Sequence, residues 1–78
     1  MTALKRLRNE ARISREDFAR LAGIKFASVE KHEQGRHRIS LEDGYRYAKA
    51  LGRLLRRDPS KLLIELARST AEEVQEVA

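Results

Sequence analysis

The chain has 78 residues, with 17 Lys and Arg against 12 Asp and Glu and a formal net charge of +5. A chain this short fits one domain with a small core, and without cysteine it has neither a disulfide framework nor a cysteine-based zinc site, so helix packing or a second subunit must supply stability. The longest uncharged apolar run, Leu62 to Ile64, is far below the roughly 20 residues of a membrane span, and Met1 to Arg8 has no apolar signal core, so a soluble cytoplasmic protein without a membrane partner is expected.

Charge is unevenly distributed. Residues 1–57 carry 15 Lys and Arg against 7 Asp and Glu, whereas residues 58–78 carry 2 against 5. The basic part suits a polyanion and the acidic end does not; the plain alternative is a solubilising helical surface. Beta-branched residues are scattered and the single proline is Pro59, so the fold class expected is all-α.

Thr2 can cap a first helix running to about Ala11, with Leu4, Leu7, Arg8 and Ala11 on one stripe, and Ile13 closing the turn. Ser14, followed three residues later by Asp17, opens a second helix of about two turns that buries Phe18, Ala19 and Ala22 and ends at Gly23. A third helix is expected from about Phe26 to Gln34, terminated by a left-handed Gly35. Arg36, His37 and Arg38 then form an exposed basic loop. Ser40 with Asp43 opens a fourth helix whose apolar stripe reads Leu41, Tyr45, Ala48 and Leu51, with Gly44 and Gly52 weakening it. Arg53 to Arg57 reads as a link. Asp58-Pro59 is a cap followed by proline at the first helical position, so a fifth helix starts there and buries some of Leu62, Leu63, Leu66 and Ala67. Thr70 with Glu73 either caps a new turn or lies inside the same helix, and Leu63, Leu66, Thr70, Val74 and Val77 approach heptad spacing. The expected division is a basic core over 1–57 and a C-terminal helix over 58–78 that either closes the monomer core or serves as a dimerisation tail.

A short helix, a tight turn after glycine and a second short helix ended by glycine is the layout that sets one helix across a DNA backbone and the next in the groove. The run SREDFARLAGIKFASVEKHEQG, Ser14 to Gly35, resembles the Cro and lambda-repressor-like helix-turn-helix family, also called the XRE family. The resemblance covers roughly Leu4 to Gly52: an Arg in the first helix, Ser, then Phe18-Ala19, the glycine turn, Val29, Glu33 and Gly35 are in register. It implies a compact five-helix domain with Leu7, Phe18, Ala19, Ile24 and Val29 inside, and a structural pair between Arg8 and Glu33.

The resemblance also places Phe26, Ala27 and Lys31 nearest the base edges. Phe26 and Ala27 suit thymine methyl groups, and Lys31 suits the guanine acceptors or a phosphate; the other reading of Phe26 is core beside the turn. Ser28 donates to a phosphate or caps the helix start. Arg15 stands where the family usually has Gln, keeping reach to the backbone and first base while adding charge. Lys25, Arg36, His37 and Arg38 read as phosphate clamps or as solvated surface. Glu16 and Glu30 oppose phosphate unless they point away.

His32 and His37 have no cysteine companions, so no metal is expected, and His32 packs at a half-buried site. No nucleophile with a base and no metal set is present, so neither an enzyme nor a cofactor is expected. The implied function is a sequence-specific double-stranded-DNA-binding transcriptional regulator of repressor type, a homodimer because one short recognition helix reads few base pairs. The alternative is a protein-interaction module or antitoxin-type partner protein, with a protein partner at the C-terminal helix.

Overall fold

A computed structural model describes the backbone of residues 2–77 and the side chains of residues 2–68. It holds five helices, α1 (Ala3–Glu10), α2 (Arg15–Ala22), α3 (Phe26–Glu33), α4 (Leu41–Leu55) and α5 (Pro59–Val77), and no strand among the described residues.

Each start has a local cause. Thr2 Oγ1 accepts from the Lys5 amide at 3.2 Å, Ser14 Oγ from Asp17 at 3.1 Å and Ser40 Oγ from Asp43 at 3.1 Å, each relieving one of the helix's orphan amides. Asp58 Oδ1 accepts from the Ser60 amide at 2.9 Å, with Pro59 at the first helical position, where its missing N–H costs nothing. At α3 the cap is Lys25, which makes no side-chain cap bond.

The ends share a geometry. Gly23 (φ 71°) and Gly35 (φ 73°) take the left-handed conformation, and the bonds Ile24 N–H to Ala19 O and Arg36 N–H to Lys31 O close the paired-bond motif that satisfies the last carbonyls. The same role falls to Arg56 (φ 54°) after α4, where Arg57 N–H donates to Gly52 O at 3.2 Å, and Arg12 (φ 57°) follows α1.

The core gathers one face from every helix. Leu4 and Leu7 of α1, Phe18 of α2, Val29 of α3, Tyr47 and Leu51 of α4 and Leu62 of α5 are fully buried, with alanines and Leu66 filling between them. Phe18 and Tyr47 stack with centroids 5.5 Å apart, and His32 meets the Tyr47 ring edge-on. Leu62 and Leu66 are core, so the first half of α5 belongs to the same packing unit as residues 1–57.

Several side chains depart from the sequence expectation. On α4, Leu41 is 78% exposed and Tyr45 55%, whereas Gly44 and Tyr47 face inward beside Ala48 and Leu51. The reason is α5: Leu63 Cδ1 lies 3.1 Å from where a Gly44 Cβ would stand, so the bare backbone faces the neighbour and rotates Leu41 and Tyr45 outward. The stretch read as a link is helical through Leu55, and the turn to α5 is Arg56 to Asp58. Ala67 is exposed. α5 continues through Thr70 and Glu73 as one helix, while the side chains of Thr70, Val74 and Val77 lie outside the described residues. No described helix is long and apolar enough to cross a membrane.

Candidate nucleic-acid interface

α3 turns three of its side chains inward: Val29, His32 and Glu33. At about 100° per residue, the opposite arc carries Ala27, Lys31 and Gln34, with Glu30 and Phe26 on the flank that leads back to Glu33. Phe26, Ala27, Lys31 and Gln34 are exposed and Glu30 is partly so, which leaves an outward face over the helix's whole length.

The inner face is anchored by charge. Arg8 Nε donates to Glu33 Oε2 at 2.6 Å and Nη2 to Oε1 at 3.2 Å, a two-pronged pair in which the Glu33 side chain is 1% exposed. Arg8 Nη1 also donates to the Ile13 carbonyl at 2.9 Å, and Thr2 Oγ1 donates to the Glu33 carbonyl at 3.0 Å. These contacts join the start and the last turn of α1 to the end of α3. Burying a carboxylate this deep is costly unless its oxygens are paired, as both are here.

A second polar link is neutral. His32 Nδ1 and the Tyr47 hydroxyl are 2.7 Å apart in the core. Burial lowers the His32 pKa below its ordinary value, with Asp43 raising it and His37 lowering it further to a lesser degree. Burial likewise pushes the Tyr47 hydroxyl well above its ordinary range, with Asp43 and Glu33 adding to the shift. Both groups are therefore uncharged near neutral pH, and the pair pins α3 to α4 without an ionic cost.

The residues expected at the site fall into four groups. Phe26, Ala27 and Lys31 lie on the outward face of α3, with Phe26 44% exposed and so outside the core. Lys25, Arg36, His37 and Arg38 are exposed at the two ends of the helix, Lys25 as its cap and the others in the loop that follows Gly35. Ser28 is partly buried and leaves the cap position to Lys25.

Arg15 stands apart from the other cations. Its Nε donates to Glu33 Oε1 at 3.2 Å, its Nη1 donates to Glu30 Oε2 at 3.4 Å, and its guanidinium carbon lies 6.0 Å from the Phe26 ring centre. The start of α2 is thus tied to both faces of α3. Glu16 is exposed one residue away.

Glu30 and Gln34 lie beside Phe26, Ala27 and Lys31 on the outward side of α3 and are not among the residues expected at the site. Helical spacing contained the signal, because they follow Phe26 by four and eight residues. Counting Glu30 only as a charge opposed to phosphate hides it, and Gln34 ends the helix as its cap, as expected.

Among the described residues no three His, Asp or Glu side chains come together as a metal site. A family model described as "Helix-turn-helix domain" matches residues 2–62. Comparison with curated proteins finds no match, and neither does comparison with solved structures. The matched span takes in α1 to α4 whole and the first turn of α5, the stretch that builds the core and the outward face of α3, and the chain belongs to the helix-turn-helix domain family.

Proposed function

We propose that the protein is a sequence-specific regulator of transcription, of repressor type and similar to the XRE family, that places α3 in the major groove of double-stranded DNA. The observation that carries this reading is the outward face of α3: a helix of the matched motif shows five side chains to solvent, with cations at both its ends.

In this arrangement Phe26 and Ala27 meet thymine methyl groups, Lys31 donates to guanine O6 and N7, and Lys25, Ser28, Arg36, His37 and Arg38 hold the phosphates on either side. Arg8 and Glu33 keep the recognition helix seated against α1. Two copies placed one helical turn of DNA apart multiply the discrimination that one short helix provides, so the working unit is a homodimer.

Titrating duplex DNA at several salt concentrations tests this. Affinity should fall as salt rises, with each neutralised phosphate adding about 0.9 to the log-log slope. Replacing Arg36 and Arg38 together with alanine should weaken every sequence alike and flatten that slope. Affinity independent of salt, or no affinity for any duplex, would refute the reading and favour a protein partner for the same face.

A further inference from the structure

A glutamate on a DNA-reading face is costly beside phosphate unless it has a specific task. Glu30 occupies that place, with its side chain 44% exposed. It is also the outermost member of a chain of alternating charges, Arg8–Glu33–Arg15–Glu30, that begins in the core and ends on the surface. Glu33 is immobilised by Arg8, Glu33 in turn holds Arg15 Nε, and Arg15 Nη1 holds Glu30. The Phe26 ring lies against the same guanidinium. The two outer members therefore present an acceptor and a donor side by side, and the contacts to Glu33 and Glu30 engage only two of the five N–H groups a guanidinium carries.

The major groove has a matching edge. Cytosine offers there a single amino donor and no acceptor, and its partner guanine offers O6 and N7 as two acceptors. A carboxylate beside adenine meets the N7 acceptor next to the amino group, and a guanidinium beside thymine meets one acceptor and a methyl group. Only the C·G pair offers a donor to the carboxylate and a fork of acceptors to the guanidinium.

We infer that Arg15 and Glu30 form one reading unit for a C·G base pair, Glu30 accepting from cytosine N4 and Arg15 donating to guanine O6 and N7. The inference rests on the DNA-binding reading above and names the base pair that this part of the face selects. Repulsion between Glu30 and phosphate then contributes to selectivity, because the helix is tolerated in the groove only where cytosine satisfies the carboxylate.

Selection of bound sites from random duplexes, followed by competition between single-base variants, tests the unit. The wild-type protein should prefer C·G at one position by between about 5- and 150-fold over the other pairs. Glu30→Gln keeps the shape but offers both a donor and an acceptor, which suits adenine, so the preference at that position should vanish or pass to A·T. Arg15→Lys should weaken discrimination at the same position. Arg15 also touches the buried Glu33, so the exposed Glu30 carries the decision, and melting of Glu30→Gln should match the wild type. A Glu30→Gln protein that changes its affinity for all sequences equally overturns the inference and leaves DNA binding intact, as does a wild-type protein indifferent to C·G. Failure of the wild-type protein to bind any duplex overturns the parent reading together with this one.

Discussion

Arg8 makes three hydrogen bonds from the last turn of α1, two to Glu33 and one to the Ile13 carbonyl, and it is buried while making them. Truncating it to alanine leaves the Glu33 carboxylate in the core with Arg15 Nε and the Thr2 hydroxyl near its residue as the remaining polar contacts. Removing one partner of a buried pair costs about 3–5 kcal/mol, and the surviving Arg15 bond places Arg8→Ala near the lower figure. In a domain of this size that lowers the melting temperature by more than about 10 °C, readable by circular dichroism. An unchanged melting temperature with DNA binding abolished would move Arg8 from the scaffold to the interface. Elsewhere at this scale the surface pairs matter less: Arg46–Glu42 and Arg20–Asp17 stand in solvent, where such contacts contribute little.

Between elements, the packing of α4 against α5 depends on two glycines that sequence reasoning treated as flaws in a helix. A Cβ at Gly52 would stand 3.0 Å from the Arg57 carbonyl oxygen and 3.0 Å from Pro59 Cγ. Both neighbours are stiff, since the Gly52 carbonyl accepts the Arg57 amide at 3.2 Å and proline is a ring. A Cβ at Gly44 would meet the end of Leu63, a flexible side chain, at 3.1 Å. Alanine gains about 1 kcal/mol over glycine in a helix interior, while overpacking costs about 1–3 kcal/mol. Gly52→Ala is therefore expected to lose up to about 2 kcal/mol net, and Gly44→Ala to remain within about 1 kcal/mol of the parent, by urea unfolding. Equal stability of the two variants would mean that the turn into α5 yields where the geometry says it cannot.

At the scale of the whole molecule, the question is where the folding unit ends. The contrast of charge at residue 57 suggests a break, yet Leu62 and Leu66 are buried with the core, and Glu65 binds Arg6 of α1 at 2.6 Å and Arg57 at 3.2 Å. The Arg6 bond holds the Glu65 carboxyl below its ordinary pKa, as does the nearby Arg57 charge. A chain cut after Arg57 forfeits two core leucines, each worth about 2–5 kcal/mol, from a domain whose entire stability is of order 5–15 kcal/mol. It should show no cooperative melting transition by calorimetry, whereas Leu62→Ala in the full chain should melt cooperatively at a lower temperature. A cooperative transition in the 1–57 chain would show that α1 to α4 close their own core.

Much of this protein was decided locally and could be read from the sequence. Ser14, Ser40 and Asp58-Pro59 mark helix starts because their side chains and ring act on amides two or three residues away, and Gly23 and Gly35 mark ends because a left-handed residue favours glycine wherever it occurs. The inward faces of α1 and α2 followed from spacing, and Val29 inside α3 and the Arg8–Glu33 contact from the resemblance, which carried information about distance in space that spacing lacks. What the tertiary structure decided were the contacts between distant residues. Whether α4 buries Leu41 and Tyr45 or Gly44 and Tyr47 depends on how closely α5 approaches, since glycine looks like a defect until a neighbour needs its space. Whether Glu30 opposes DNA or reads it depends on Arg15, fifteen residues earlier, whose position is set by a buried carboxylate on another helix. Pattern reports which residues share a face, and only the folded chain determines which charges stand beside them.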